Sequence, residues 1–481
     1  MIWLVAVGLG KDGMRWLQVT QLSGSFQPVS SQVTFPALEA KVLQIWRDEE
    51  TFNLVERLRK DAPLFVFYEG PPTANGSPGI HHVLSRSFKD VMLRYKTMRG
   101  YRTIRRGGWD THGLPVELEI EKELNISSKP EIEEFGIEEF NRLCRESVFR
   151  YVKDWEAMTE RSGVWMDMDQ AYVTYEKSYI ESAWWIFKQL WAQGLIYEGY
   201  RVTPHCPRCV TSLSSHEVAQ GYRDNVPDPS VYVRFPITEE AGAPELLSRL
   251  GYVSERWIEP PPALLAWTTT PWTLTANLAL AIGPGLDYVL VACPSDDNSP
   301  AERVILAEAL VSQVIGEAGV ILDHFKGRDL VGLGYVPPFA GRMAGSAAYT
   351  VLEAEYVTVE DGTGIVHTAP AYGADDAELG RTNGLTTNHT VDLRGVIVEG
   401  FPGAGKFVKD ADKDIIKELA RTGLLFRDDS PYRHTYPFCW RCSTPLIYYA
   451  KTSWYIRTTE VKEAMVDGNQ GINWYPGHIR D

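Results

Sequence analysis

The amino-acid sequence predicts an α/β protein into which a second, mostly-β domain is inserted. Three observations lead to this prediction. A strand, a glycine-rich loop and a helix follow one another over 64–99, and strand-like segments separated by Pro/Gly turns fill the middle of the chain from Asp228. Two Cys-x-x-Cys pairs lie on either side of that middle. The length of 481 residues is enough for two to four domains.

The first predicted elements form a strand–loop–helix unit. The segment from Pro36, "PALEAKVLQIWRDEETF", predicts an amphipathic helix, and Pro63–Gly70 predicts a short buried strand bounded by turn signals. Apolar residues then recur at helical spacing from Val83 to Met98. The loop therefore leads into a helix N-terminus, whose free N–H groups suit an anion such as a phosphate.

The following elements are predicted in turn. Pro115 is a suitable first residue of a helix that has Glu117 in its first turn, and residues 131–197 are predicted to be mostly helical. The middle of the chain contains the strand candidates "SVYVRFPI", "ALLAWTTT" and "YVLVACP" and closes with a helix and a strand in "KDADKDIIKELARTGLLF". The basic segment from Arg86 to Arg106 indicates either solvated helix faces or a surface for an anion.

Composition excludes several classes of protein. A hydrophobic content of 44% and a charged content of 23% are typical of a soluble globular protein, and a net charge of −15 argues against non-specific coating of nucleic acid. Six cysteines do not suggest a disulfide-rich secreted scaffold. The N-terminus lacks the basic region and cleavage site of a signal peptide, and no apolar run is long enough to span a bilayer. We therefore expect a cytoplasmic protein without membrane association.

The two cysteine pairs are Cys206/Cys209 and Cys439/Cys442. Together they supply four thiolates, the number that a closed, tetrahedral structural zinc site needs. Two independent redox pairs are the alternative, although neither pair follows a thioredoxin-like strand pattern. We predict one shared Zn²⁺ that joins the two crossings where the inserted domain leaves and rejoins its host.

Four segments occur in the order "FYEGPPTANGSPGIHHVL", "GWDTHGLPVELEIEKEL", "WTTTPWTLTAN" and "GTGIVHTAPAYGADDAELG". They closely resemble isoleucyl-tRNA synthetase, a class I aminoacyl-tRNA synthetase, in the eukaryote-like branch that also occurs in bacteria. The resemblance runs from about Phe26 to Asp481. It implies the N-terminal half of a class I Rossmann-like nucleotide-binding domain, an inserted mostly-β editing domain and a small zinc knuckle module. A relative of valyl-tRNA synthetase is the alternative assignment.

The resemblance also implies how the chain is divided. The expected parts are an unassigned head (1–26), the N-terminal half of the catalytic domain with a helical segment (27–205), the first zinc knuckle and its connection (206–227), the editing domain (228–430), the second knuckle (431–450) and a return to the catalytic domain (451–481). The second ATP signature of the family, Lys-Met-Ser-Lys-Ser, and its anticodon-binding domain are absent. We therefore expect a fragment of a longer ligase that does not form the adenylate by itself.

The family signature in the first segment is His-x-Gly-His, whose imidazoles contact ATP phosphates, whereas this chain has Gly79-Ile80-His81-His82. The resemblance assigns these four residues to ATP binding, with His81 and His82 as catalytic residues. His82 keeps the expected place. We hypothesise that the space left above Gly79 admits His81, which then replaces the missing imidazole.

The same resemblance assigns three residues to the amino-acid pocket. Pro72 matches the wall of the aliphatic pocket, and Asn75 lies beside it in the same loop. Asp110 matches the position that binds the substrate ammonium, a sound pairing of a carboxylate with a cation. The alternative for Asp110 is a turn-capping role after two glycines.

An editing site is needed because binding alone cannot separate two amino acids that differ by one methylene. One methylene in a hydrophobic pocket is worth only about 1 to 3 kcal/mol, and the discrimination of isoleucine from valine is the familiar example of this limit. The resemblance assigns Thr268, Thr269 and Thr270 to hydrogen bonds with the terminal adenosine and a water. It assigns His367 to the pocket wall and Asp376 to the ammonium of valine. Because no Ser or Cys nucleophile with its own base is recognisable, we expect direct attack by a positioned water.

The expected function is that of an isoleucine–tRNA ligase that activates isoleucine with ATP and Mg²⁺, transfers it to tRNA(Ile) and hydrolyses valyl-tRNA(Ile) as a monomer. Two other functions remain open: a free-standing deacylase of misacylated tRNA and a non-catalytic, zinc-stapled RNA-binding module. The complete editing motif permits the first, whereas the retained catalytic loop argues against it. Loss of deacylation in Asp376→Ala would separate the two.

Overall fold

The computed structural model describes residues 31–126, 129–239, 243–294, 302–339 and 349–480. The head predicted for residues 1–26 lies outside the described residues. The chain forms two compact units, the first comprising residues up to Val116 together with Cys144–Tyr179, and the second comprising Glu117–Leu143 together with Ile180–Asp481. Each unit is described by itself.

The helices of the described residues are α1 (Phe35–Asp48), α2 (Thr51–Leu58), α3 (Ile80–Met98), α4 (Leu114–Leu124), α5 (Lys129–Phe135), α6 (Ile137–Ser147), α7 (Val152–Arg161), α8 (Lys177–Ala192), α9 (Ser215–Ala219), α10 (Pro244–Arg249), α11 (Val311–Val314), α12 (Gly327–Leu330), α13 (Ala374–Thr382), α14 (Val408–Arg421) and α15 (Lys462–Gln470). The helices predicted from Pro36 and Pro115 are confirmed as α1 and α4. Among these helices, none is both long enough and apolar enough to cross a lipid bilayer.

The strands are β1 (Leu64–Phe65), β2 (Arg102–Thr103), β3 (Arg106–Trp109), β4 (Asp167–Val173), β5 (Ile196–Cys206), β6 (Thr211–Ser212), β7 (Tyr222–Asp228), β8 (Val231–Pro236), β9 (Tyr252–Val253), β10 (Arg256–Trp257), β11 (Ala263–Thr268), β12 (Ala279–Ile282), β13 (Asp287–Ala292), β14 (Arg303–Ala307), β15 (Val320–Lys326), β16 (Val351–Glu353), β17 (Ile365–Thr368), β18 (Leu425–Asp428), β19 (Tyr432–Pro437) and β20 (Ile447–Ile456). The strands predicted in the middle of the chain are confirmed as β8, β11 and β13.

The first unit contains two short parallel strand pairs, β1 with β2 and β3 with β4. The prediction of a buried strand over Pro63–Gly70 is wrong in length and burial, because only Leu64–Phe65 are in a strand and Leu64 is 52% exposed. The reason is that β1 pairs only with the two-residue strand β2, so one of its edges has no strand partner among the described residues.

Helix α3 buries polar residues. Arg86 is buried against Thr159, and the guanidinium of Arg105 lies 3.2 Å from the carboxylate of Asp90. The alternative of solvated helix faces is therefore wrong for Arg86, and Arg105, which follows β2, is buried as well. The carboxylate of Asp90 offsets the burial of the Arg105 charge, as a buried ion requires.

The second unit is built around a six-stranded sheet in the order β15-β13-β14-β11-β8-β18. Strand β11 runs parallel to β14, and the other neighbours are antiparallel. A three-stranded sheet, β16-β12-β17, contributes to the same hydrophobic core. All four residues of β12 are buried, which fits its continuous apolar sequence.

Helix α14 packs on this core through one stripe. Its buried residues are Val408, Ala411, Asp412, Ile415 and Leu419, which recur every three or four positions. The predicted order of a helix and then a strand is confirmed, because β18 follows α14 directly.

Two antiparallel ribbons connect the β-rich part with the rest of the second unit. Strand β5 pairs with β20 over ten residue pairs from Ile196↔Ile456 to His205↔Ile447, and β7 pairs with β19. The cysteine pairs lie between these ribbons in sequence: Cys206 ends β5 and Cys209 follows it, and Cys439 and Cys442 follow β19.

Candidate active site and metal centre

A cavity of about 420 Å³ in the second unit contains all five residues assigned to editing. Thr268 ends β11, and the other two threonines follow it directly. His367 lies on β17 and Asp376 lies in the first turn of α13. The remaining lining residues are Trp267, Thr273, 356–358, 360–366, Ala369 and Tyr372. A volume of this size falls within the range of ordinary small-molecule sites.

The threonine segment is held by hydrogen bonds between its own residues. The backbone N–H of Thr270 donates to the hydroxyl of Thr268 over 3.0 Å, and the hydroxyls of Thr270 and Thr273 lie 3.3 Å apart. The hydroxyl of Thr273 donates to the carbonyl of Thr270 over 2.8 Å. These bonds form where the chain enters the 3₁₀ turn Pro271–Ala276.

His367 is a buried, neutral imidazole. Its Nε2 lies 2.9 Å from the hydroxyl of Thr273, and its Nδ1 has no hydrogen-bond partner among the described residues. Burial lowers the pKa of His367 to about 4, because the charged ring would lose its hydration. With the hydroxyl proton of Thr273 donated to the carbonyl of Thr270, the matching tautomer of His367 is the one that donates from Nε2.

Asp376 combines burial with one strong hydrogen bond. Its Oδ2 accepts the backbone N–H of Ala369 over 2.8 Å. Desolvation raises its pKa to about 6, which outweighs the lowering by that N–H, and the neighbouring charge of Asp375 raises it further. At pH 7 the group is therefore mainly a carboxylate, and it can bind a cation. Gly373 is needed beside it, because a Cβ there would lie 2.6 Å from the carboxylate.

Sequence reasoning missed Thr273 as part of this cavity. A signal was present, because Thr273 follows Thr270 by three positions across Pro271, and residues three apart lie on one side of a 3₁₀ turn. Tyr356 was also missed. Burial raises the pKa of its hydroxyl, and the charge of Asp376 raises it further, so Tyr356 is a neutral hydrogen-bonding group beside the carboxylate.

The four cysteines of the two pairs form one cluster. All four Sγ atoms lie within 4.8 Å of one another, and Sγ of Cys442 lies 3.4 Å from Cys206 and 3.6 Å from Cys209. None forms a disulfide. Each knuckle turns in the same way, because Val210 and Ser443, which follow the second cysteine of each pair, both adopt positive φ angles of 52° and 61°.

The cluster has the geometry that a metal requires. A zinc ion with Zn–S bonds of about 2.3 Å sets tetrahedral sulfur atoms about 3.8 Å apart. The observed separations are close to this value, and four sulfur donors suit a soft or borderline divalent ion. The residues present therefore fit a tetrahedral metal site.

In the first unit, the residues assigned to the amino-acid pocket lie on two adjoining segments. The backbone N–H of Asp110 donates to the carbonyl of Pro72 over 2.9 Å, directly after β3. The side-chain amide of Asn75 donates to the carbonyl of Pro115 over 2.8 Å. Ala74 between them is fully buried against Trp109 and Trp155, so the loop is fixed from both sides.

The residues assigned to ATP lie at the N-terminus of α3. Gly79 is the N-cap, and its N–H donates to Nδ1 of His82 over 2.9 Å. The rings of His81 and His82 lie 3.8 Å apart, and His82 packs on Trp155 at 4.5 Å. Burial lowers the pKa of His82, and the neighbouring His81 and Arg86 side chains lower it further. Ile80 points to solvent and is 82% exposed.

Comparison with known proteins defines the class. The family described as "tRNA synthetases class I (I, L, M and V)" matches residues 41–481. The chain belongs to this family of class I tRNA synthetases. It has the mixed α/β fold predicted from the sequence, with a β-rich part and a four-cysteine cluster.

Two individual relatives narrow the match to one kind of synthetase. The chain is 52% identical over 475 residues to the isoleucine–tRNA ligase of Dehalococcoides mccartyi (strain CBDB1), which covers 95% of this chain and 46% of the relative. It is 49% identical over 448 residues to that of Thermus thermophilus, which covers 93% of the chain and 40% of the relative. The resemblance to isoleucyl-tRNA synthetase is confirmed, and the chain spans less than half the length of these relatives.

Among solved structures, one described as the crystal structure of GlLeuRS-CP1 aligns with 42% of this chain and 100% of its own. The identity is 16% and the TM-score is 0.32, a similarity too low to carry an argument.

Proposed function

We propose that this chain is the N-terminal part of a cytoplasmic isoleucine–tRNA ligase and that its second unit hydrolyses valyl-tRNA(Ile). One observation carries the proposal: the three threonines, His367 and Asp376 share one cavity. The whole enzyme would activate isoleucine with ATP and Mg²⁺ and transfer it to tRNA(Ile). Relatives that cover 95% of the chain support this assignment.

The proposed hydrolysis uses the residues in separate roles. The carboxylate of Asp376 binds the valyl ammonium, and the threonine hydroxyls orient the terminal ribose and a water. The water adds to the ester carbonyl, the bond to the ribose oxygen breaks, and one water proton passes to that oxygen. His367 contributes as a neutral hydrogen-bonding group, since its low pKa leaves the ring uncharged at pH 7.

The remaining roles belong to the same proposal. The four thiols would hold one Zn²⁺, which keeps the two knuckles together where the editing domain (228–430) joins the catalytic domain. The N-terminus of α3, with His81 and His82, would contact the phosphates of ATP. Pro72, Asn75 and Asp110 would bind isoleucine, with Asp110 on its ammonium.

The test is deacylation of valyl-tRNA(Ile) by this chain, beside isoleucyl-tRNA(Ile) as the cognate control. We expect hydrolysis of the valyl ester only, and loss of that hydrolysis in Asp376→Ala. Equal hydrolysis of both esters would contradict the isoleucine assignment. Hydrolysis unchanged in Asp376→Ala would contradict the site.

A second candidate function is supported by one observation. The editing cavity lies entirely within the second unit, so a free-standing deacylase that clears misacylated tRNA needs nothing from the first unit. Binding of ATP separates the two functions. If the chain is part of a ligase, it should bind ATP at the N-terminus of α3, and Gly79→Pro should lower this affinity without affecting deacylation. A free-standing deacylase should not bind ATP.

A further inference from the structure

Asp412 is an acidic residue on an otherwise apolar stripe. The other buried residues of α14 are Val408, Ala411, Ile415 and Leu419, and Asp412 itself is 1% exposed. A carboxyl group in such a place is costly unless it makes a hydrogen bond. Its partners therefore indicate what it does.

One oxygen of Asp412 binds the backbone beside the threonine segment. Oδ1 accepts the N–H of Trp272 over 2.9 Å. Trp272 is the second residue of the 3₁₀ turn Pro271–Ala276, and the first N–H groups of a helical turn have no partner within it. Thr270 precedes the turn but makes no side-chain cap. Asp412, which is 140 positions away in sequence, provides the missing acceptor.

The nearest positive charge does not form an ion pair with Asp412. Lys409, one turn earlier on α14, is held by both oxygens of Asp228 at 2.7 and 2.8 Å. The second oxygen of Asp412, Oδ2, has no hydrogen-bond partner in the described part of the chain. Burial raises the pKa of Asp412 to about 8, although Lys409 and the N–H of Trp272 lower it. The bond to Trp272 is thus the one specific contact of this carboxyl.

The 3₁₀ turn is fixed on its other sides as well. The hydroxyl of Thr275 meets that of Thr390 at 2.6 Å, and Thr273 meets His367 at 2.9 Å. Asp412 holds the beginning of the turn, where Thr270 leads into it. A shift at Trp272 would therefore move the hydroxyls of Thr270 and Thr273 within the cavity.

We propose that Asp412 is a positioning residue for the hydrolytic site, which sets the place of the threonine segment by binding the N–H of Trp272. The inference rests on the proposed deacylase function. It predicts that deacylation needs the hydrogen-bond acceptor of residue 412 but does not need its negative charge. It also predicts that the effect falls on turnover rather than on tRNA binding, because Asp412 does not line the cavity.

The test compares three substitutions with the wild-type chain. Asp412→Leu fills the space with an apolar side chain that has no hydrogen-bond acceptor. Asp412→Asn retains an acceptor oxygen without charge. Asp414→Ala is the matched control, because Asp414 lies on the same helix but is partly exposed and pairs with Lys406. The readouts are kcat and KM for deacylation of valyl-tRNA(Ile), urea unfolding, and amide exchange of residues 271–276.

We expect Asp412→Leu to lower kcat at least tenfold, with KM within about threefold and with faster amide exchange confined to residues 271–276. Asp412→Asn and Asp414→Ala should stay within about threefold of the wild type. A folded Asp412→Leu variant with wild-type kcat would overturn the inference, and so would an Asp412→Asn variant as impaired as Asp412→Leu. If Asp412→Leu fails to fold, Asp412→Ala replaces it with the same expected results.

The two proposals can fail separately. A wild-type chain that does not hydrolyse valyl-tRNA(Ile) contradicts the proposed function, and amide exchange at Trp272 then decides the inference alone. In that case, unchanged exchange in Asp412→Leu overturns it.

Discussion

The imidazole of His81 lies in the space beside the α-carbon of Gly79. A Cβ built on Gly79 would lie 2.8 Å from Cε1 of His81, closer than real Cβ atoms approach other groups, and 3.0 Å from its Nδ1. The place that a first histidine of the signature would need is therefore taken by the ring two positions later. This geometry supports the hypothesis that His81 replaces the missing imidazole.

The first prediction concerns Gly79 and His81, which stand where the family signature has a histidine and a glycine. Gly79→His should weaken ATP binding to the chain by about tenfold, because two imidazoles compete for one space. The double substitution Gly79→His/His81→Gly should recover most of the affinity. Calorimetric titration with ATP–Mg²⁺ of the wild type, both single variants and the double variant measures the coupling, expected at about 1 kcal/mol or more. Additive effects of the two substitutions would show that His81 does not fill this role.

The second prediction concerns Thr273. Thr273→Val keeps the shape of the side chain but removes the hydroxyl that meets Nε2 of His367. We expect kcat for deacylation of valyl-tRNA(Ile) to fall about tenfold, with a smaller change in KM. Thr422→Val is the matched control, because its hydroxyl bonds carbonyl groups of its own helix and does not line the cavity. Equal losses in both variants would show that the effect is not specific to the cavity.

The third prediction is a pH dependence that comes from Asp376. Its pKa is raised to about 6, so protonation removes the carboxylate as the pH falls through 6, and the proposed ammonium contact is lost. The kcat/KM for deacylation should therefore decrease about tenfold per pH unit below pH 6 and level off above it. The residual rate of Asp376→Asn should lack this inflection. A wild-type profile without an inflection between pH 5 and 7 would contradict the role of Asp376.

The raised pKa of Asp376 also makes the stability of the fold depend on pH. A carboxyl whose pKa is higher in the folded state than its usual 3.8 binds protons more readily when folded. Its contribution to folding is therefore favourable below about pH 4 and is lost as the pH rises through 6. Asp376→Asn should flatten the corresponding part of the unfolding free energy between pH 4 and 6, measured by urea titration.

The fourth prediction concerns the cysteine cluster. The purified chain should contain one equivalent of zinc, and removal of the metal by a chelator should lower the unfolding free energy by several kcal/mol, since metal binding is coupled to folding. Cys442→Ser should prevent stoichiometric binding, because Cys442 lies closest to two of the other sulfur atoms. Cys144→Ser, outside the cluster, should retain one equivalent. Two equivalents, or oxidation to two disulfides without loss of stability, would favour independent redox pairs.

Much of the fold follows from local patterns. The helices from Pro36 and Pro115 and the strands β8, β11 and β13 were predictable, because apolar periodicity and turn residues act over a few positions. The strand over Pro63–Gly70 was not predicted correctly. Its apolar residues indicate a core strand, yet burial depends on what packs against it, and the described chain offers only a two-residue partner.

The cysteine cluster and the hydrolytic cavity differ in how far the sequence predicts their contacts. The cysteine pairs could be matched from their spacing alone, because four thiols at two tight turns suggest one metal. Asp412 could not be linked to Trp272, since nothing in a helix sequence identifies the backbone N–H that a buried carboxyl will meet. An acid among apolar residues at helical spacing was the only sign.

Motifs and periodicity are short-range properties, so they were enough to predict the family, the local elements and the residue types of each site. Which of these residues come into contact depends on the tertiary fold. It brought Thr268 and Asp376, more than a hundred positions apart, to one cavity, and it placed the ring of His81 against Gly79. Burial then set the pKa values of His367 and Asp376, because desolvation depends on all the surrounding atoms and not on neighbours in sequence.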